Sequence, residues 1–173
     1  ADIVVTVTNR LAKQLAATGG ISKVEVVTNG FDSEDFDTPT QKKPDKFRIA
    51  HVGLLNQGRN PIILWEVLNK LCQKQPEFAE ALEIVLVGTV EQTVTQDVRR
   101  FENLKDKVVV PKYMSHTEVL ELYTNSAILL LLVNNTSNSS WILPGKLFEY
   151  LSAKRPILAF GQKDSDAHDA LLQ

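Results

Sequence analysis

The chain has a single cysteine, Cys72, and a single methionine, Met114, in 173 residues. One cysteine excludes an internal disulfide, and Cys72 falls inside an amphipathic run where a small buried thiol is the ordinary outcome. The three histidines, His51, His116 and His168, are scattered, and neither they nor Cys72 stand at metal-ligand spacing, so no metal site is expected. Charge of one sign is lacking too. The formal net charge is −2 and no basic run stands out, which argues against a nucleic-acid partner held by phosphate neutralisation. The longest strongly apolar run, Ala127 to Val133, is far below the ~20 residues of a membrane-spanning helix. The start, Ala-Asp-Ile-Val-Val, carries no basic segment of the kind that opens a secretory signal. Two glycosylation sequons, Asn134-Asn135-Thr136 and Asn138-Ser139-Ser140, therefore lack a secretory context, and a reducing cytoplasm is the expected compartment. The chain does not begin with Met, which suggests a piece of a longer protein.

What is present is globular. A content of 43% hydrophobic and 23% charged residues rules out disordered, collagen-like and low-complexity classes. The length is that of one domain, since domains run about 100–200 residues.

Short β-branched runs alternate with helical ones. Ile3 to Thr8 reads as a strand, Asn9 to Ala17 as a short helix, and Lys23 to Thr28 as a second strand ended by the turn pair Asn29-Gly30. Asp32 to Asp45 gathers acidic residues and prolines without periodicity and reads as a linker. Phe47 to Gly53 is then a strand. Asn60-Pro61 is expected to open a helix as N-cap and first residue, with an apolar face through Ile63, Leu64, Val67, Leu68 and Leu71. Further strands are expected over Glu83 to Gly88, Val108 to Tyr113, Ile128 to Val133 and Pro156 to Phe160. Helices fall over Thr93 to Leu104, from the capping box Ser115-His116-Thr117-Glu118 through Tyr123, from Pro144 to near Lys154, and from Asp166 to Leu172. Strands separated by helices predict an α/β fold, a Rossmann-like doubly wound parallel sheet from about Phe47 onward. Ligands in such sheets bind outside the carboxyl ends of the strands, where strand order reverses. The loops after Gly53, Gly88, Tyr113 and Val133 are the candidate site.

Two stretches there carry chemistry. Gly53-Leu54-Leu55-Asn56-Gln57-Gly58-Arg59-Asn60 nearly fits a P-loop, but Arg59 and Asn60 replace the required Lys and hydroxyl residue, so nucleoside triphosphate hydrolysis is rejected. The glycines still let backbone approach a ligand, and Arg59 suits a phosphate. In Leu143-Pro144-Gly145-Lys146-Leu147-Phe148-Glu149-Tyr150-Leu151, Lys146 and Glu149 are three apart on one helix face. Lys146 suits a phosphate and Glu149 sugar hydroxyls. Phe148 and Leu151 are expected to pack on the sheet. Two Asp-x-Asp spacings, Asp35-Phe36-Asp37 and Asp164-Ser165-Asp166, read as solvated loop carboxylates rather than metal ligands.

Thr28-Asn29-Gly30-Phe31-Asp32 followed by Phe36 resembles the hinge of the retaining GT-B glycosyltransferases of family four. In order and spacing, His51-Val52-Gly53 through Arg59, Val87-Gly88, and Pro144 to Tyr150 followed by Ala153-Lys154-Arg155-Pro156-Ile157-Leu158 are similar to that family's donor domain, bacterial surface-polysaccharide type. The resemblance implies residues 1–28 as a remnant of the N-terminal acceptor domain, 29–45 as hinge and 46–173 as a nucleotide-sugar-binding domain truncated at its C-terminal end. It implies a UDP- or GDP-sugar donor, a saccharide or lipid-linked acceptor, no metal and no other cofactor. It places Arg59 on the diphosphate and Glu149 on the ribose, with Gly145 and Lys146 where backbone and side chain approach the donor. Gly53 and Tyr113, from the strand-end loops, and Leu147, beside Lys146, complete the candidate nucleotide-sugar site. Catalytic residues are not assigned. The sequence departs from the pattern at Leu54, where the family has Arg, and at Trp141, where it has the first Glu of Glu-x7-Glu. Those departures favour an alternative, a non-catalytic α/β binding or scaffold domain; a GT-B nucleotide-sugar epimerase is a further one. The expected location is cytoplasmic, with peripheral attachment of the full-length protein to the inner membrane face left open.

Overall fold

The computed structural model describes residues 2–21, 23–32 and 45–172. The linker motif Asp35-Phe36-Asp37 lies outside them. A small parallel sheet of β1 (Val4–Thr6) and β2 (Val24–Val26) is joined by α1 (Asn9–Ala17). Thr8 opens α1, its side chain accepting the Leu11 amide at 3.1 Å.

The larger sheet is parallel throughout and carries its first strand in the middle. It comprises β3 (Phe47–Val52), β4 (Leu82–Val87), β5 (Val108–Val109), β6 (Ile128–Leu132) and β7 (Ile157–Phe160), in the order β5-β4-β3-β6-β7. Strand order thus reverses between β3 and β6. The connecting helices are α2 (Ile62–Lys74), α3 (Pro76–Ala81), α4 (Gln92–Arg99), α5 (His116–Thr124), α6 (Lys146–Ser152) and, after β7, α7 (Asp166–Leu171). The expected Rossmann-like doubly wound sheet is the observed architecture. Among the described residues no helix is long and apolar enough to cross a membrane.

Central strands are buried on both faces because a helix layer covers each, as the continuous apolar runs require. Ile49, Ile84, Leu86, Leu130 and Leu132 pack with α2 and α4 through Leu64, Trp65, Leu68, Val94 and Val98. Ala50, Val52, Val85, Leu129 and Leu131 pack with α5 and α6 through Val119, Leu122, Tyr123, Leu147 and Tyr150. The predicted capping box on α5 is present: Glu118 accepts the Ser115 amide at 2.7 Å and Ser115 Oγ accepts the Glu118 amide at 3.4 Å.

Several expectations shift. The buried face of α2 is Leu64, Trp65, Leu68 and Cys72, while Ile63 and Val67 are 71% and 46% exposed. Trp65 decides this rotation, because its indole N–H is buried only where an acceptor meets it. That acceptor is Asn60 Oδ1 at 2.8 Å. Asn60 therefore does not cap α2, and the Pro61 carbonyl instead receives the Leu64 and Trp65 amides. Helix α4 stops at Arg99 rather than Leu104, as Asn69 on α2 takes the Asn103 amide into a following turn. Strand β5 is two residues long, with Pro111 beyond it unable to donate to a ladder. On α6 the sheet-facing residues are Leu147 and Tyr150 instead of Phe148 and Leu151; Leu151 is 45% exposed.

Candidate functional site

The reversal between β3 and β6 is built as a physical gap. The two strands pair as Ile49↔Ile128 and Ala50↔Leu129, and recorded pairing ends there. In a regular parallel ladder the Val52 amide would donate next to the Leu130 carbonyl. Instead it donates to the Tyr150 hydroxyl at 3.1 Å, and the Leu130 carbonyl accepts from His51 Nδ1 at 3.0 Å. Two side chains thus satisfy the backbone groups freed where the strands part, as buried amides and carbonyls require. A carbonyl only accepts, so His51 Nδ1 donates to it. Nε2 is buried, with no hydrogen-bond partner among the described residues. Burial, foremost, pushes the imidazole pKa down, which keeps the ring neutral.

Beside this gap β3 and β4 are followed directly by Gly53 and Gly88, with φ of +144° and +105°. A Cβ on Gly88 would lie 2.6 Å from the Gly53 carbonyl oxygen, so the two strand ends touch through backbone. The Gly53 loop is then braced by the loop after β4. Leu55 donates to the Thr89 carbonyl at 2.9 Å, Glu91 donates to Leu55 at 2.9 Å, and the Gln57 amide donates to the Glu91 carboxylate at 3.0 Å.

Arg59 closes a short 3-10 turn over Gln57–Arg59. Its Nε donates to Asn134 Oδ1 at 2.6 Å and its Nη1 to the Leu54 carbonyl at 3.0 Å. The guanidinium therefore bridges the loops that follow β3 and β6. Beside it lies a cleft of about 420 Å³ walled by Ile62, Ile63, Val133 and Phe160, with Asn135 and Gln162 among its polar residues. The sequence reading did not anticipate this cleft.

The second stretch is set by α6. Gly145 precedes its first residue with helical φ and ψ of −56° and −35°. Lys146 Nζ donates to both oxygens of Glu149, at 3.0 and 2.9 Å. The Tyr123 hydroxyl, on α5, donates to Glu149 Oε2 at 3.0 Å. Tyr123 is fully buried, and its ring meets Tyr150 edge-on with centroids 5.1 Å apart. Burial, reinforced by the neighbouring Tyr150 and Glu149, raises the Tyr123 pKa far above the ordinary phenol value, so its hydroxyl stays a donor.

Gly53, Arg59 and the Lys146–Glu149 pair thus lie on the two loops and the helix that follow β3 and β6, and Tyr150 ties α6 to the end of β3. Leu147 stands apart. Its side chain is fully buried under α6 and its amide donates to the Pro144 carbonyl at 3.0 Å. Tyr113 follows β5, two strands from β3, and is 85% exposed. Asp164 and Asp166 are engaged by Arg10 of α1: Arg10 Nε pairs with Asp166 Oδ1 at 3.1 Å, and Nη1 donates to the Asp164 carbonyl. His51, Tyr123, Asn134 and Tyr150 were missed by sequence reading. Their only local signal is position, with Asn134 one residue past the last apolar residue of the β6 run and Tyr150 beside Glu149.

By sequence the chain matches no family model and no curated protein. By structure it matches solved glycosyltransferases. One is a mutant of TarM from S. aureus, in complex with fondaparinux, alpha-GlcNAc-glycerol and UDP: TM-score 0.65, 14% identity, 95% of this chain and 31% of that one. Another is the pneumococcal O-GlcNAc transferase GtfA in complex with UDP and GlcNAc: TM-score 0.64, 15% identity, 92% and 30% of the two chains. A third is the UDP-forming alpha,alpha-trehalose-phosphate synthase of Burkholderia vietnamiensis: TM-score 0.65, 9% identity, 97% and 48%. The likeness is one of fold, that of a Rossmann-like half of the GT-B fold. The chain spans between 30% and 48% of the length of these neighbours.

Proposed function

We propose that the chain is the donor-binding half of a retaining GT-B glycosyltransferase of family-four type, acting in cell-surface polysaccharide synthesis in the cytoplasm. The observation that carries the reading is the gap between β3 and β6, flanked by an arginine pinned across it and a helix bearing Lys146 and Glu149. A nucleoside diphosphate sugar offers what these groups bind: a diphosphate for Arg59 and Lys146, and ribose hydroxyls for Glu149. Two of the structural neighbours were solved with UDP, which supports a UDP-sugar; a GDP-sugar presents the same diphosphate and ribose.

In this reading residues 1–28 belong to an acceptor domain, 29–45 to a hinge and 46–173 to the donor domain. Asn29, in the hinge of this reading, lies near the start of α6: its Nδ2 is 3.9 Å from where a Cβ on Gly145 would stand. The acceptor, a saccharide or lipid-linked saccharide, is bound by the rest of the acceptor domain. Transfer breaks the bond from the anomeric carbon to the diphosphate oxygen and forms one to the acceptor hydroxyl oxygen on the same face, the hydroxyl proton passing to the leaving diphosphate. Negative charge then develops on the leaving diphosphate, where a fixed Arg59 and a Lys146 released from Glu149 stabilise it. The Gly53 and Gly145 positions let backbone come close, and no protein nucleophile or metal is invoked. The 173-residue chain is expected to bind nucleotide weakly and to transfer nothing on its own.

Calorimetric titration with UDP and GDP tests the assignment. Arg59→Ala and Glu149→Ala should each weaken binding by roughly tenfold, the worth of one charge-assisted hydrogen bond. Binding that ignores both substitutions sinks the site. With the full-length protein and a labelled donor, absence of turnover would favour a scaffold domain, and product formed without acceptor an epimerase.

A further inference from the structure

We infer that Tyr123 is a positioning residue of the nucleotide site, its buried hydroxyl setting the Glu149 carboxylate to receive a ribose hydroxyl. The inference rests on the reading of Glu149 as the ribose contact.

A carboxylate has about four acceptor positions, two on each oxygen. On Glu149 Oε2 both are taken, one by the Tyr123 hydroxyl at 3.0 Å and one by Lys146 at 2.9 Å. On Oε1 Lys146 takes one at 3.0 Å. One acceptor position therefore remains, on Oε1. The Glu149 side chain is 25% exposed, so that position is within reach of a ligand.

Lys146 is a flexible donor, 40% exposed, and in the proposed function it turns to the diphosphate. Tyr123 is then the donor that keeps the carboxylate oriented. It is suited to that task because it is packed on all sides. Its ring is fully buried and lies edge-on against Tyr150. Tyr150 in turn is fixed by the Val52 amide at the end of β3. The Glu149 orientation is thereby tied to the strand end beside Gly53, on the far side of the gap. When Lys146 leaves, Oε1 is open to both hydroxyls of a ribose diol while Oε2 stays anchored from beneath. A 2′-deoxyribose keeps one of the two hydroxyls and a 2′,3′-dideoxyribose neither, so the arrangement favours ribonucleotides.

Tyr123→Phe removes the hydroxyl and keeps the ring. It should weaken UDP binding by roughly five- to tenfold, the worth of one hydrogen bond to a charged group, and change 2′,3′-dideoxy-UDP binding by less than about twofold. In a Glu149→Ala background the same substitution should add nothing. Equal weakening of both ligands, or an undiminished effect in the Glu149→Ala background, would mean a merely structural tyrosine and overturn the inference. If Glu149→Ala weakens UDP and Tyr123→Phe does not, the inference fails alone. If Glu149→Ala has no effect, the ribose reading fails and takes the inference with it. In the unmodified protein the Tyr123 Cζ resonance should shift on saturation with UDP and less with the dideoxy analogue; a resonance that ignores UDP overturns the inference without any variant.

Discussion

Alanine at position 88 tests how closely β3 and β4 approach at the candidate site. The added Cβ would stand 2.6 Å from the Gly53 carbonyl oxygen and 3.3 Å from its nitrogen, both backbone atoms that cannot rotate away. Gly88 also has φ +105°, a conformation that costs an L side chain about 1–3 kcal/mol. Relieving the clash means parting strand ends joined by the Gly53 amide to Val87 and the Leu55 amide to Thr89, both at 2.9 Å. Each such bond contributes about 1 kcal/mol. Gly88→Ala should therefore destabilise by roughly 3–5 kcal/mol, a large share of the 5–15 kcal/mol of a typical domain. Two other glycines of the site provide the scale. Gly53 has φ +144° but its nearest neighbour to a Cβ is 3.9 Å away, so Gly53→Ala should cost only the backbone strain, about 1–3 kcal/mol. Gly145 has helical φ and the same clearance, so Gly145→Ala should fall within roughly 0.5 kcal/mol of the parent. Urea unfolding, with an unchanged slope as the check on cooperativity, measures all three. A Gly88→Ala protein within about 1 kcal/mol of the parent, or a Gly145→Ala protein as weak as Gly88→Ala, refutes the reasoning.

Two further outcomes follow from the parted strands. Tyr150→Phe leaves the buried Val52 amide without its acceptor and should cost about 1–3 kcal/mol in the same unfolding assay; a cost under about 0.5 kcal/mol would mean another group takes over. His51, its pKa lowered chiefly by burial, holds fewer protons folded than unfolded below its ordinary value near 6.5. Stability should therefore fall as pH drops below about 6.5, by up to roughly 1.4 kcal/mol per unit from this residue, until the folded ring itself titrates. His51→Gln should flatten that slope, and a slope unchanged by the substitution contradicts a buried neutral His51.

The central sheet was legible because its strands are short apolar runs buried on both faces, and the glycines directly after β3 and β4 mark where backbone must come close. The face of α2 was not, since Ile63 and Val67 and the pair Leu64 and Leu68 form two stripes of the same spacing one residue apart. Burial of Trp65 chooses between them, and that choice depends on Asn60 turning its side chain inward. At the site, Arg59, Lys146 and Glu149 could be picked from local spacing, as each lies in a stretch whose own pattern suggests an anion or a sugar. What holds them could not. Val52 meets Tyr150 across 98 positions, His51 meets Leu130 across 79 and Arg59 meets Asn134 across 75. Such contacts exist only once strand order has placed β3 beside β6. Tyr123 illustrates the same limit: on α5 it reads as one more core aromatic, and only the packing of α5 against α6 brings its hydroxyl to Glu149.

Amide chemical-shift mapping during a UDP titration tests the central claim most directly, since it asks where on the fold a nucleoside diphosphate binds. The account predicts that the perturbed amides cluster at Gly53 to Arg59, Gly88, Asn134 and Gly145 to Lys146, around the gap between β3 and β6. Perturbations confined elsewhere, such as the groove between β5 and α5 lined by Val109, Pro111, Met114 and Leu122, would contradict it.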